Sequence, residues 1–130
     1  MTITMNLELE LGICFKEIES VFSTVSAEYT IEDGYLKGNF KYSNAYFVFR
    51  CFSAPDDVAA EGANANWKVG MSGAFHCPAS SLLEGSIDIK SFLTALAVET
   101  DFKFVLSFQY ESLYVVRDES GIVFLKSMID

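Results

Sequence analysis

The first eleven residues alternate without a fault: Ile3, Met5, Leu7, Leu9 and Leu11 fall on one side, and Thr2, Thr4, Asn6, Glu8 and Glu10 on the other. Successive side chains of a strand point to opposite faces, so a period of two over this length calls for a half-buried β-strand. That feature commits the chain to a sheet with one face against a core. From Ile13 the period changes to three and four, through Cys14, Ile18, Val21, Phe22 and Val25, with Lys16, Glu17, Glu19 and Ser20 opposite. The spacing predicts an amphipathic helix of about four turns.

Further along, Glu32-Asp33-Gly34 is a turn signal, because glycine carries no steric penalty at positive φ and Asp tolerates it. A strand at Tyr35 to Phe40 follows, then a turn at Tyr42-Ser43-Asn44 and a strand from Ala45 to Phe52. Aromatics on both faces of that last segment place it in the centre of the sheet. Between Ser53 and Asn66 no large apolar residue follows Val58, and Pro55, Asp56, Asp57, Glu61, Gly62 and Asn64 mark the longest loop. Loops of this length in compact domains tend to be functional or mobile. Alternation resumes at Trp67, Val69, Met71, Gly73 and Phe75 and ends at Pro78; Gly70 and Gly73 mark a bulge or a close sheet contact.

Leu83 and Ile87 read as a further strand leading into a second helix, which Asp88 caps and along which Ile89, Phe92, Leu93, Leu96 and Ala97 repeat at helical spacing. Three strands close the chain: Phe102 to Phe108, Leu113 to Arg117 and Ile122 to Ser127. Short turns between consecutive strands give a mostly antiparallel sheet, and two helices cannot cover both of its faces. The expected fold is therefore one α+β domain over residues 1–130, with a single mostly antiparallel sheet, both helices packed on one face and exposed aromatics on the other. Hydrophobic residues make up 51% of the chain and aromatics 15%, enough for a core that rules out disorder over most of its length.

Charge narrows the partners. Nine Lys and Arg stand against eighteen Asp and Glu, for a formal net charge of -9. A nucleic-acid backbone needs a basic stripe, and the cations here are scattered singly from Lys16 to Lys126, so no nucleic acid is expected as a partner. The excess negative charge either keeps the protein soluble or steers a basic partner into contact. No apolar run is long enough to cross a membrane, and Met1 to Met5 lacks the features of a signal peptide, so no membrane partner is expected and the expected location is cytoplasmic. Cys14, Cys51 and Cys77, at spacings of 37 and 26 residues, match no metal or redox motif and read as reduced, buried thiols.

Catalytic constellations are thin. His76 is the one histidine, and its neighbour Cys77 falls on the opposite face of the same strand, which argues against a Cys–His nucleophilic pair. A closed zinc site would need all three cysteines to converge on that histidine. Asp56-Asp57 and Asp118-Glu119 are adjacent carboxylates in exposed loops or turns, where no burial raises a pKa toward neutrality. The second pair reads as a solvated turn; the first, with Glu61, reads as either a solvated loop or a contact surface for a basic partner. Neither Gly34 to Gly38 nor Gly70-Met71-Ser72-Gly73 forms a phosphate cradle, and Trp67 and the strand phenylalanines read as core. No catalytic residue, metal, cofactor or small-molecule ligand is assigned, and the chain reads as a binding protein, not an enzyme.

In size, acidity and strand–helix outline, including Glu84-Gly85-Ser86-Ile87-Asp88-Ile89 leading into the helix, the chain resembles the immunity proteins of bacterial polymorphic-toxin and contact-dependent inhibition systems. The likeness is one of overall type. It implies a cytosolic protein in a tight one-to-one complex with a basic toxin domain, often a nuclease, whose active site carboxylates cover. Asp56, Asp57, Glu61 and Glu84 are the partner-binding candidates. The outline from Ile13 onward is also similar to that of type III secretion chaperones, which are acidic homodimers, although the N-terminal strand is extra and a closing helix is missing. A structural or adaptor subunit, or a small-ligand binder using a pocket between sheet and helices, forms a third class against which only the charge speaks.

Overall fold

The computed structural model describes residues 1–129. The opening alternation becomes β1 (Thr2–Glu10), and the next segments form α1 (Phe15–Val21), β2 (Ala27–Glu32), β3 (Tyr35–Phe40), β4 (Tyr46–Asp56) and β5 (Val69–Pro78). A 3-10 turn at Ala79–Ser81 leads into α2 (Leu82–Glu99), and β6 (Phe104–Phe108), β7 (Ser112–Asp118) and β8 (Gly121–Phe124) complete the chain. The fold is α+β: one sheet of eight strands in the order β2-β3-β4-β5-β1-β6-β7-β8, with every neighbouring pair antiparallel.

The centre of the sheet belongs to β1 and β5, not to β4, which lies one place further out. Because β5 and β6 both run antiparallel to β1, they run parallel to each other, and parallel strands cannot be joined by a tight turn. The 18-residue α2 is the crossover that joins them. Leu83 and Ile87 therefore lie in the first turns of this helix and not in a strand; residues four apart suit a helix as well as an alternating strand. Asp88 is likewise no cap. It is buried within the helix, and its Oδ2 accepts the backbone N–H of Ser43 at 2.9 Å, tying α2 to the β3–β4 turn.

The first helix is shorter than its periodicity predicts. Cys14 stands at its N-cap, donating its backbone N–H to Glu17 Oε1 at 2.8 Å, but regular helix stops at Val21. Ser23, Thr24 and Val25 continue in hydrogen-bonded turns, consistent with the low helix preference of Ser and β-branched residues. Phe22 and Val25 are buried all the same, so the apolar spacing records their burial correctly even where the helix has ended. Between β2 and β3, Asp33 and Gly34 both take positive φ, 53° and 83°, as the turn signal requires.

Both helices lie on the face that carries Met5, Leu7 and Leu9 of β1 and Met71, Phe75 and Cys77 of β5. Six phenylalanines fill the space between: Phe22 after α1, Phe40, Phe47, Phe49 and Phe75 on the strands, and Phe92 on α2. Glycine permits two close approaches. At Gly73 the Phe49 ring lies where a Cβ would stand, 2.5 Å from it, and at Gly85 a Cβ would come within 2.9 Å of Cys77 Sγ, so α2 sits directly on β5.

Asp88→Ala leaves the buried Ser43 N–H without an acceptor and is expected to destabilise the fold by about 1–3 kcal/mol, whereas Asp88→Asn, which keeps an acceptor oxygen, recovers part of the loss. Urea unfolding of the two variants measures the difference; equal stabilities would remove this contact from the account of the fold.

Candidate functional site

No helix covers the second face of the sheet. One rung runs across it through Thr30, Lys37, Val48, Ala74, Asn6, Ser107 and Leu113, and the next through Arg50, Ser72, Glu8, Val105 and Val116. Exposed aromatics are present on it but sparse: Tyr35 and Tyr46 are 44% and 42% exposed, while the strand phenylalanines Phe40, Phe47, Phe49, Phe75 and Phe104 are buried. Polar side chains occupy most of the rest, because Thr4, Asn6 and Glu8, which alternate with the core residues of β1, point this way.

The long loop, residues 57–68, folds back over this face. Glu8 holds it: Oε2 accepts the backbone N–H of Ala59 at 2.7 Å and Oε1 that of Ala60 at 3.0 Å. Glu61 donates its backbone N–H to the Tyr110 carbonyl at 2.8 Å, and a Cβ at Gly62 would lie 3.8 Å from Leu113. The loop thereby spans from β1 to the β6–β7 turn. Ala60 is buried, as are Val105 and Ser107, the open-face residues of β6. Glu8 itself is only 4% exposed, and charge-assisted bonds to two loop amides offset the desolvation of its carboxylate.

Asp57 and Glu61 are exposed on this loop, and Asp56, expected in the loop, is instead the exposed last residue of β4, where the loop begins. Asp57 pairs with Lys68 across the loop. The β7–β8 turn lies beside the loop: the Glu119 carboxyl is held below the ordinary range by a backbone N–H, by Lys103 3.6 Å away and by the neighbouring Asn66 side chain of the loop. Ser120 donates its hydroxyl and its backbone N–H to Asp118 Oδ1 at 2.6 and 2.8 Å, which holds that carboxyl below the ordinary range. Asp118-Glu119 therefore extends the same acidic rim. Glu84 does not belong to it: it is half-buried in the first turn of α2, on the helical side of the sheet. Glu8 is the functional residue that sequence reasoning missed, for nothing local distinguishes it from Glu10, and its partners lie 51 and 52 positions away.

His76 and Cys77 face opposite ways. The imidazole is on the open face, its Nδ1 2.9 Å from Thr4 Oγ1 and its ring stacked on Tyr46 with centroids 5.9 Å apart. Cys77 points into the core, where burial pushes its thiol up to about 11. The expectation of three buried thiols fails at Cys14 and Cys51, which are exposed, the one at the N-cap of α1 and the other on β4. Among the described residues no three His, Cys, Asp or Glu side chains converge to hold a metal ion, and no helix is long and apolar enough to cross a membrane. Neither a scan against models of protein families nor a search of curated proteins finds a match.

Glu8→Gln retains one acceptor oxygen but turns an amide N–H₂ toward the second loop amide, so hydrogen exchange at Ala59 and Ala60 is expected to quicken at least tenfold with little change elsewhere. Unchanged protection would mean that the loop is held by other contacts. Thiol titration of the native protein at pH 8 is expected to register Cys14 and Cys51 only, with Cys77 reacting after denaturation; a third fast-reacting thiol would contradict its burial.

Proposed function

We propose that the protein is an inhibitor of the immunity type, acting in the bacterial cytoplasm, which binds a basic toxin domain and covers its active site with the acidic rim of the open sheet face. The observation that carries this reading is the fixing of the loop by Glu8. A loop already held in place loses little conformational entropy on binding, so carboxylates mounted on it contribute more of their interaction energy to affinity. Asp56 and Glu61, which form no ion pair among the described residues, are the groups available to a partner's cations, together with Asp118; Asp57 and Glu119 can exchange Lys68 and Lys103 for them. The net charge of -9 supports the same reading, because a long-range field of one sign steers an oppositely charged domain into contact.

The test is co-expression with the C-terminal domain of a larger protein encoded beside this one, followed by calorimetry on the pair. Rescue of growth and one-to-one binding are expected, with an association rate that falls as salt rises. Combining Asp56→Lys with Asp57→Lys should weaken binding at least tenfold, about 1.4 kcal/mol, without lowering Tm, whereas Glu84→Lys on the other face should leave affinity within twofold. Equal affinities for all three proteins would exclude the acidic loop from the interface, and absence of rescue by any neighbouring domain would sink the immunity reading.

A further inference from the structure

After β8 the chain turns back along the helical side of the sheet, where the Tyr114 carbonyl accepts the backbone N–H groups of Leu125 and Lys126 at 2.8 and 3.2 Å. Between this segment and α2 lies a cleft of about 300 Å³. Leu93 and Leu106, both buried, form its floor, and Ile89, Tyr114, Phe124 and Met128 its walls. A smaller apolar cavity of about 150 Å³, lined by Met5 and Phe108 among others, adjoins it and shares Tyr114 and Met128. Phe124 and Leu125 remain 41% and 51% exposed although they are consecutive large apolar residues. Apolar walls around a few converging polar groups are what small-molecule sites present, and the volume is at the lower end of the roughly 300–1,000 Å³ that such sites span.

The charge at the mouth is the unusual part. In a chain with twice as many acidic as basic residues, the charged lining of this cleft, among the described residues, consists of Lys90 and Lys126. Neither pairs with a carboxylate among those residues. Each ammonium rests instead over a wall of the cleft, Lys90 Nζ 5.1 Å from the Phe124 ring centre and Lys126 Nζ 5.7 Å from that of Tyr114. A cation–π contact orients an ammonium without neutralising it. Asp88, two residues before Lys90, is turned away to Ser43. Screening over about 8 Å at physiological ionic strength lets these two nearby cations outweigh the distant acidic rim.

We propose that this cleft binds a small amphipathic carboxylate, a medium-chain fatty acid in kind, with its carboxylate between Lys90 and Lys126 and its chain along Leu93 and Leu106 toward Met128 and the second cavity. The site is on the opposite side of the sheet from the acidic rim and does not depend on the inhibitor reading.

The test is calorimetric titration of the whole protein with decanoate below its micellar range, alongside decanol and acetate, with methyl-labelled methionine as a local probe. Decanoate is expected to bind and to shift the methyl signals of Met128 and Met5 while leaving that of Met71, elsewhere in the core, in place. Decanol, which keeps the tail, and acetate, which keeps the charge, should each bind at least tenfold more weakly. Replacing both exposed lysines, Lys90→Gln with Lys126→Gln, should reduce decanoate affinity to the level of decanol and leave the methionine spectrum of the free protein unchanged. Equal binding of decanol and decanoate, undiminished binding by the double variant, or saturation without a Met128 shift would each overturn the proposal.

Discussion

Phe92 is the side chain on which the layers of this protein meet. Its ring lies within 6.2 Å, centre to centre, of Phe22 beside the first helix and of Phe40, Phe49 and Phe75 on three successive strands. Aromatic pairs at such separations add about 0.5–1.5 kcal/mol each beyond the burial of their area. The crossover helix is thereby fixed against one half of the sheet, and its far end delivers the chain to the other half. With α2 seated, β6 can pair with β1, and the remaining strands follow as hairpins. The N-terminal strand owes its central position to that pairing, since without β6 it would be an edge strand paired only with β5.

The two faces of the sheet solve the same problem by different means. On the helical side, burial is apolar and non-directional, and a mutation of shape is felt through packing density. On the open side there is no third helix to supply a cover, and a polar loop takes that place, held by directed bonds from one buried carboxylate. Such a cover is specific in position but depends on few contacts. It also leaves the outer surface of the loop free to carry charge, and Asp57 and Glu61 are exposed there.

The acidic rim and the lysine-lined cleft lie in different surroundings on opposite sides of the sheet. The acidic rim lies in water, where its field reaches only about a Debye length and acts mainly on encounter. Lys90 and Lys126 stand at an apolar cleft, where a bound anion would be partly desolvated and the same charge counts for more. On the readings proposed above, one side of the sheet would steer a partner and the other would select a ligand, without either cancelling the other.

Much of this architecture was legible before any coordinates. The alternation of β1, the helical repeat from Ile89 to Ala97, the turn at Asp33-Gly34 and the opposed faces of His76 and Cys77 all follow from backbone geometry that acts over a few residues. Leu83 and Ile87 misled because a spacing of four satisfies both periods, and Asp88 because a carboxylate near a helix start resembles a cap until its partner 45 residues away is known. The candidates Asp56, Asp57 and Glu61 were recognisable by loop composition, whereas the position of Glu84 on the other side of the sheet was not. By itself, then, the sequence determined most of the elements and the faces of the strongly periodic ones, β1 and the second half of α2, since these are local consequences of chain stereochemistry. The tertiary structure alone decided that β1 lies at the centre, that Glu8 is a buried clasp and that Lys90 and Lys126 share a cleft, because each rests on contacts between distant segments whose energy exists only once the sheet has closed around them.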